Sequence, residues 1–226
     1  MPKTLFFTLV AAANIAIAAF AGSAPPPGFT IPKSTLSPDK RFGILVPDEK
    51  RYDAGEKNLV EVSTGRVLAV IAGEPGMERM NHGGVDPTRW SADSSLLLWR
   101  IDGKWFPRAL VLIKLDGDKV QWQLDLLKTG QQEILARTRQ AEPKKYAAAK
   151  KRNAGNGSAY PDGFTVDVAT DGEENSPVAL PIRVNVTLTS NPKAMPNFPE
   201  NAELNATLQG EVGKDGEFKI LKFTLE

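Results

Sequence analysis

The sequence predicts a mainly β protein with a small helical segment: two antiparallel β units, two short helices between them and the chain's end, and a C-terminal antiparallel sheet. Three observations carry this. Residues 36–126 hold two copies of one pattern, offset by 54 residues at Ser37 and Ser91 and by 53 at Val67 and Val120, which implies stacked supersecondary units. Residues 129–152 switch to helix formers, broken once by Pro143. The last third alternates apolar and polar residues with a period of two, as half-buried strands do.

The first 21 residues have the form of an export signal. Lys3 supplies the positive start, Leu5 to Phe20 is an apolar run broken by Asn14, and Ala19-Phe20-Ala21 offers small residues for cleavage after Ala21. Cleavage after Ala24 would leave Pro25 first and ranks second. A 16-residue run is short of the roughly 20 that a membrane span needs, so no transmembrane segment is expected after signal removal and the location is periplasmic or secreted. The chain has no Cys. A lipid-modified Cys, disulfide staples and thiol chemistry are therefore excluded, and hydrophobic burial must hold the fold. Without Lys3 the charges balance at 27 basic and 27 acidic residues. That argues against a general polyanion binder, and no nucleic-acid partner is expected.

Residues 22–35 are rich in Pro and Gly and read as an extended lead-in. In the first unit, the turn Ser37-Pro38-Asp39 precedes an apolar run to Val46, a second run from Asn58 to Val62, the turn Ser63-Thr64-Gly65 and a third run from Arg66 to Ile71. In the second, Ser91-Ala92-Asp93 precedes Leu96 to Trp99, then Ala109 to Leu115, the turn Asp116-Gly117-Asp118, and Lys119 to Leu126. Leu96-Leu97-Leu98-Trp99 and Leu110-Val111-Leu112-Ile113 are continuously apolar, which predicts strands covered on both faces. Val120, Trp122, Leu124 and Leu126 alternate with polar residues, which predicts a half-buried one. Trp99 and Trp122 are expected in the core.

Residues 129–158 are read as two short helices and a flexible tip from Asn153 to Ser158, with Pro143 marking a break or a first helical turn. From 159 the chain returns to β structure. Tyr160-Pro161-Asp162-Gly163-Phe164 is similar to the earlier turn and is a candidate start of a third unit. Ile182, Val184, Val186 and Leu188 alternate with Arg183, Asn185, Thr187 and Thr189; Leu204 to Val212 alternates likewise. Gly213-Lys214-Asp215-Gly216 predicts a hairpin turn, and the phase slip at Ile220-Leu221 predicts a bulge.

The segment Ser37-Pro38-Asp39-Lys40-Arg41-Phe42 resembles the blade hairpin of TolB-like periplasmic β-propellers, in which Ser-Pro-Asp-Gly precedes a basic residue and an apolar strand. Thr64-Gly65 between two apolar runs is similar to the outer hairpin of such blades and of WD-repeat blades. The resemblance covers about 90 residues, and the second copy departs from it with Ala92 for Pro and Ser94 for Gly. It implies two propeller-blade-like units and recognition of a protein or small ligand, with no set chemistry. A closed propeller needs about four or more blades, so the expectation is an open arrangement whose edges the helices and the C-terminal sheet cover.

Chemistry is sparse. His82, the one histidine, sits in Asn81-His82-Gly83-Gly84-Val85-Asp86; a lone His without Cys excludes His-rich zinc sites and any His–Cys pair. No Gly-x-Ser-x-Gly elbow offers a nucleophile, and no catalytic residue is assigned. His82 and Asp86, in a Gly-rich loop, and Trp105 and Arg108, in the loop after the Leu96 strand, are the candidate binding residues. Lys144, Lys145, Lys151 and Arg152 fall within roughly 120° on a helix and form a basic face for anionic lipid, cell-wall polymer or an acidic partner. The acidic loops at Asp48–Glu56 and Asp171–Asn175 have hard-cation oxygens but not the twelve-residue calcium pattern; no metal or cofactor is assigned. The expected function is an exported, non-enzymatic binding or interaction module for a protein or envelope component. The alternatives are a cell-envelope hydrolase using His82 and the nearby acids Asp86 and Asp93, and a structural β protein whose open edges pair with another copy.

Overall fold

A computed structural model describes residues 25–48, 57–72, 88–102, 107–153, 161–172, 176–190 and 204–226; the segment read as an export signal lies outside them. They form three four-stranded antiparallel sheets and two α-helices. The sheets do not close into a barrel or propeller among the described residues.

The first sheet runs β1 (Phe29–Thr30), β2 (Phe42–Pro47), β3 (Lys57–Glu61), β4 (Val67–Ala72). The second runs β5 (Arg89–Trp90), β6 (Leu96–Asp102), β7 (Pro107–Asp116), β8 (Lys119–Asp125) in the same order. Both are built on one turn. Ser37 Oγ donates to Asp39 Oδ1 at 2.6 Å and accepts from Phe42 N at 3.0 Å. Ser91 Oγ donates to Asp93 Oδ1 at 2.6 Å and accepts from Leu96 N at 2.8 Å. The Ser37 N–H meets the Phe42 carbonyl and the Ser91 N–H the Leu96 carbonyl, so each turn closes back on its strand.

The continuous apolar runs follow from the position of the second sheet between two cores. Leu97, Trp99, Ile101, Val111, Ile113 and Leu115 face the first sheet and pack with Phe42, Ile44, Val46 and Leu59. Leu96, Leu98, Leu110 and Leu112 point the other way, into a core shared with the first helix and the third sheet. Polar bonds align the first two sheets: Trp90 Nε1 donates to the Thr35 carbonyl at 3.1 Å, Gln123 Nε2 to the Val70 carbonyl at 3.3 Å, and Arg66 Nη2 to Asp118 Oδ2 at 2.5 Å.

Helix α1 (Leu126–Ala141) starts at Leu126, which the alternation of β8 assigned to the strand. The reason is the cap: Asp125 accepts from Lys128 N, and Leu126 and Leu127 turn under the helix into the core. Leu126, Gly130, Ile134 and Thr138 make its buried stripe. A Cβ on Gly130 would stand 3.0 Å from Val186 Cγ2 and 3.1 Å from Val168 Cγ2, so the absent side chain is what lets helix and sheet touch. Helix α2 (Pro143–Arg152) begins with Pro143 at the position where a missing N–H does no harm. The expected flexible tip is corrected at its first residue. Asn153 is 1% exposed and its Nδ2 donates to the Gly163 and Ser190 carbonyls at 3.0 and 2.8 Å. Residues 154–158 lie outside the described residues.

The third sheet is β9 (Thr165–Thr170), β10 (Ile182–Thr189), β11 (Asn205–Val212), β12 (Phe218–Leu225), again in sequence order. The bulge falls where the phase slip predicted it: Gln209 pairs with Lys222 and Gly210 with Ile220, leaving Leu221 extra. The turn before β9 differs from the other two. Asp162 accepts from Tyr146 Oη and Lys150 Nζ, both at 2.6 Å, and so ties the sheet to α2 instead of closing its own turn. With α1 packed against β7 and against β9 to β12, a helix occupies part of the space between the second and third sheets. Trp99 is fully buried, whereas Trp122 is half-buried and its Nε1 donates to the Lys214 carbonyl at 3.2 Å.

Candidate functional site: a polar groove at Arg183

The alternation of β10 decides which residues reach the solvent face of the third sheet. Ile182, Val184, Val186 and Leu188 are buried in the core, so Arg183 and Asn185 project outward. Across the sheet Arg183 is level with Glu211, and Asn185 with Gln209 and Ala169. Asp171 follows β9, held by its N–H on the Arg183 carbonyl at 3.1 Å. Asn185 Nδ2 donates to Asp171 Oδ1 at 2.8 Å. The bulge leaves Leu221 55% exposed beside this cluster.

A second element closes the other side. Arg89, on edge strand β5, donates from Nε to the Ser176 carbonyl at 3.1 Å and from Nη1 to the Asp171 carbonyl at 3.4 Å and Thr170 Oγ1 at 3.5 Å. Burial pushes its pKa below the usual arginine value. The Val178 N–H meets the Trp90 carbonyl at 3.2 Å, so the segment from Ser176 to Pro181 is strapped to the second sheet.

Two adjoining open grooves result, sharing Asp171 and Arg183. One of about 310 Å³ is lined by Arg89, Ser176, Pro177, Pro181 and their neighbours; one of about 190 Å³ by Asn185, Gln209, Gly210 and Leu221. Arg89 is engaged by two backbone carbonyls and the Thr170 hydroxyl. The Arg183 guanidinium makes no hydrogen bond or ion pair among the described residues, and stands where the grooves meet. The chemistry on offer is a free guanidinium fork, two amides, one carboxylate and an apolar rim of Pro177, Pro181 and Leu221. These are groups that bind and orient. No nucleophile–base pair stands among the described lining residues.

Of the residues singled out in the sequence, Asp171 lines both grooves, whereas Arg108, Lys144, Lys145, Lys151 and Arg152 line neither. His82, Asp86 and Trp105 fall outside the described residues. Arg108, read as a loop residue, belongs to β7; Ile101 pairs with Ala109 and Asp102 with Pro107, so Arg108 is the extra residue of a bulge. Lys144, Lys145 and Lys151 are exposed as a basic face requires, while Arg152 is half-buried. Asp93, one of the two acids named for the hydrolase alternative, is a turn residue. Hydrogen bonds from Ser91 and Ser95 hold its carboxyl down to about 2, far from a working proton shuttle near neutral pH. Of the acidic loop at 171–175, Asp171 is described, and it is bonded to Asn185. Among the described residues no three His, Cys, Asp or Glu side chains are placed to hold a metal, and no helix is long and apolar enough to cross a membrane.

Arg89, Arg183, Asn185 and Gln209 escaped sequence reasoning as a site. Alternation put Arg183, Asn185 and Gln209 on a wet face, but no sequence signal brings Arg89 to them from 94 residues or more away along the chain. No protein-family model matches the chain, and a search of curated proteins finds no relative.

Proposed function

We propose that the protein is an exported, non-enzymatic binding module whose groove at Arg183 takes a polar ligand carrying a carboxylate. The observation that carries this reading is Arg183 itself, a guanidinium with no partner among the described residues, exposed where two grooves meet. Such a fork pairs bidentately with a carboxylate. Asn185 and Gln209 add directional amides, and Pro177, Pro181 and Leu221 supply the apolar edges usual in small-ligand sites. The export signal and the resemblance of residues 36–126 to propeller blades point the same way, towards recognition outside the cytoplasm.

The test is calorimetry and thermal shift with uronic-acid sugars and with peptides bearing a free C-terminal carboxylate, on the wild type and on Arg183→Ala. Expected is binding by at least one probe, weakened about tenfold or more in the variant, consistent with a lost charged hydrogen bond, while its circular dichroism stays that of the wild type. Binding that is indifferent to Arg183, or no binding by any carboxylate probe, overturns the reading.

A further inference from the structure

The helical hairpin carries charge that the rest of the chain opposes. Residues 126–153 hold eight basic and two acidic residues; the remainder holds twenty basic and twenty-five acidic. A chain close to neutral therefore concentrates its positive charge on one structural element.

Burial then decides where that charge points. Tyr146 and Ala149 are the buried residues of α2. At about 100° per residue, the line opposite them passes through Lys144 and Lys151, roughly 10 Å apart along the axis. Both are exposed, as are Ala147 and Ala148 beside them. Lys128 and Arg139 are exposed on α1, and Arg139 is near enough to act on the charge of Asp162. The two acids of the hairpin are already matched: Glu133 lies 3.6 Å from Arg137, and Glu142 4.0 Å from Lys145. Lys150 is held by Asp162 at 2.6 Å. What faces outward from α2 is thus cationic, with no acid on its central line.

We infer that the outward face of α2 adsorbs to an anionic phospholipid surface. The form of the patch selects a headgroup layer over a folded partner. It is a convex helix face with small alanines between its cations, and lysines carry mobile point charges instead of planar forks that match individual carboxylates. Clusters of this kind on a helix are drawn to anionic leaflets, each cation contributing about fivefold in partitioning at low salt. The face shares no residue with the groove at Arg183, so either reading can fail alone.

The experiment is co-sedimentation of the purified protein with vesicles of phosphatidylglycerol and phosphatidylcholine, and with phosphatidylcholine alone, at low and high salt. Expected is partitioning to the anionic vesicles only, abolished by high salt. The double variant Lys144→Gln/Lys151→Gln, which removes two cations, should lose about 25-fold, and Lys144→Glu/Lys151→Glu, which reverses them, should lose more. Lys33→Glu/Lys119→Glu, which changes net charge equally on exposed lysines outside α1 and α2, should stay near the wild type. Equal losses in the two Glu variants, binding to phosphatidylcholine alone, no binding at low salt, or capture by soluble polyphosphate without vesicle partitioning would each overturn the inference.

Discussion

The backbone N–H of Asp39 donates to the hydroxyl of Ser94 at 3.3 Å, 55 residues further along the chain. Both residues belong to the Ser-x-Asp turns that open the long apolar strands, and Ser94 is buried while carrying a φ of 60°. The turn of one sheet is therefore a contact with the next, and the same side chains that shape each hairpin also seat the two sheets together. Thr35 makes a parallel link, accepting the Trp90 indole N–H at its carbonyl while its hydroxyl accepts from Ile44 N.

Removing the Ser37 hydroxyl tests the first of the two turns. Ser37 is 2% exposed, and Ser37→Ala leaves the buried Phe42 N–H unpaired and deprives Asp39 of a donor. The expected loss is about 1–3 kcal/mol in urea unfolding, with the slope unchanged. Ser91→Ala breaks the equivalent bonds at a half-exposed site and should cost less. A larger loss at Ser91 would contradict the assignment.

Acid should loosen these turns in a defined window. Hydrogen bonds from Ser91 and Ser95 lower Asp93 from 3.8 to about 2. Burial pushes Asp39 up, but the bonds from Ser37 and the Arg41 amide outweigh it and its pKa is lowered too. A depressed folded-state pKa means that the charged form stabilises the fold above the unfolded value, and that this contribution is lost as pH falls through the folded value. For Asp93 the window runs from 3.8 down to about 2. Melting temperatures measured across it should fall less steeply in Asp93→Asn than in the wild type, because the amide oxygen still accepts but no longer titrates. Identical acid slopes would show that the charge of Asp93 does not matter to the fold.

Gly130 sets the distance between α1 and the third sheet. Helix propensity alone favours Ala over Gly by about 1 kcal/mol, yet a Cβ here meets Val186 at 3.0 Å and Val168 at 3.1 Å. Gly130→Ala should therefore gain nothing, and Gly130→Val should lose about 1–3 kcal/mol through overpacking. Chemical denaturation decides it: a stabilised valine variant would mean that the helix moves off the sheet without cost.

Much of the fold could be read from neighbours in sequence. Leu96 to Trp99 and Leu110 to Ile113 announced a strand pair buried on both faces, and two separate cores now cover them. The phase slip at Ile220-Leu221 announced the bulge, and Pro143 the start of α2. The misreadings have specific causes. Leu126 satisfies a strand alternation and a helix stripe equally well, so only the Asp125 cap separates the two. Asn153 sits in a polar, glycine-bearing stretch that reads as mobile, but its amide is claimed by carbonyls 10 and 37 residues away.

The sequence by itself determined the β class, the helical interruption, the paired turns and the outward projection of Arg183 and Asn185. Each of these depends on the period or identity of residues within a few positions of one another, and strands and helices impose that period on any chain. Tertiary structure alone decided that the second sheet lies between two cores, and that Arg89 reaches Ser176, 87 residues away, to wall a groove around Arg183. Such contacts come from the packing of whole sheets, whose side-chain complementarity no local pattern records. The basic hairpin shows both contributions: the sequence concentrated the charge, and burial of Tyr146 and Ala149 turned Lys144 and Lys151 outward.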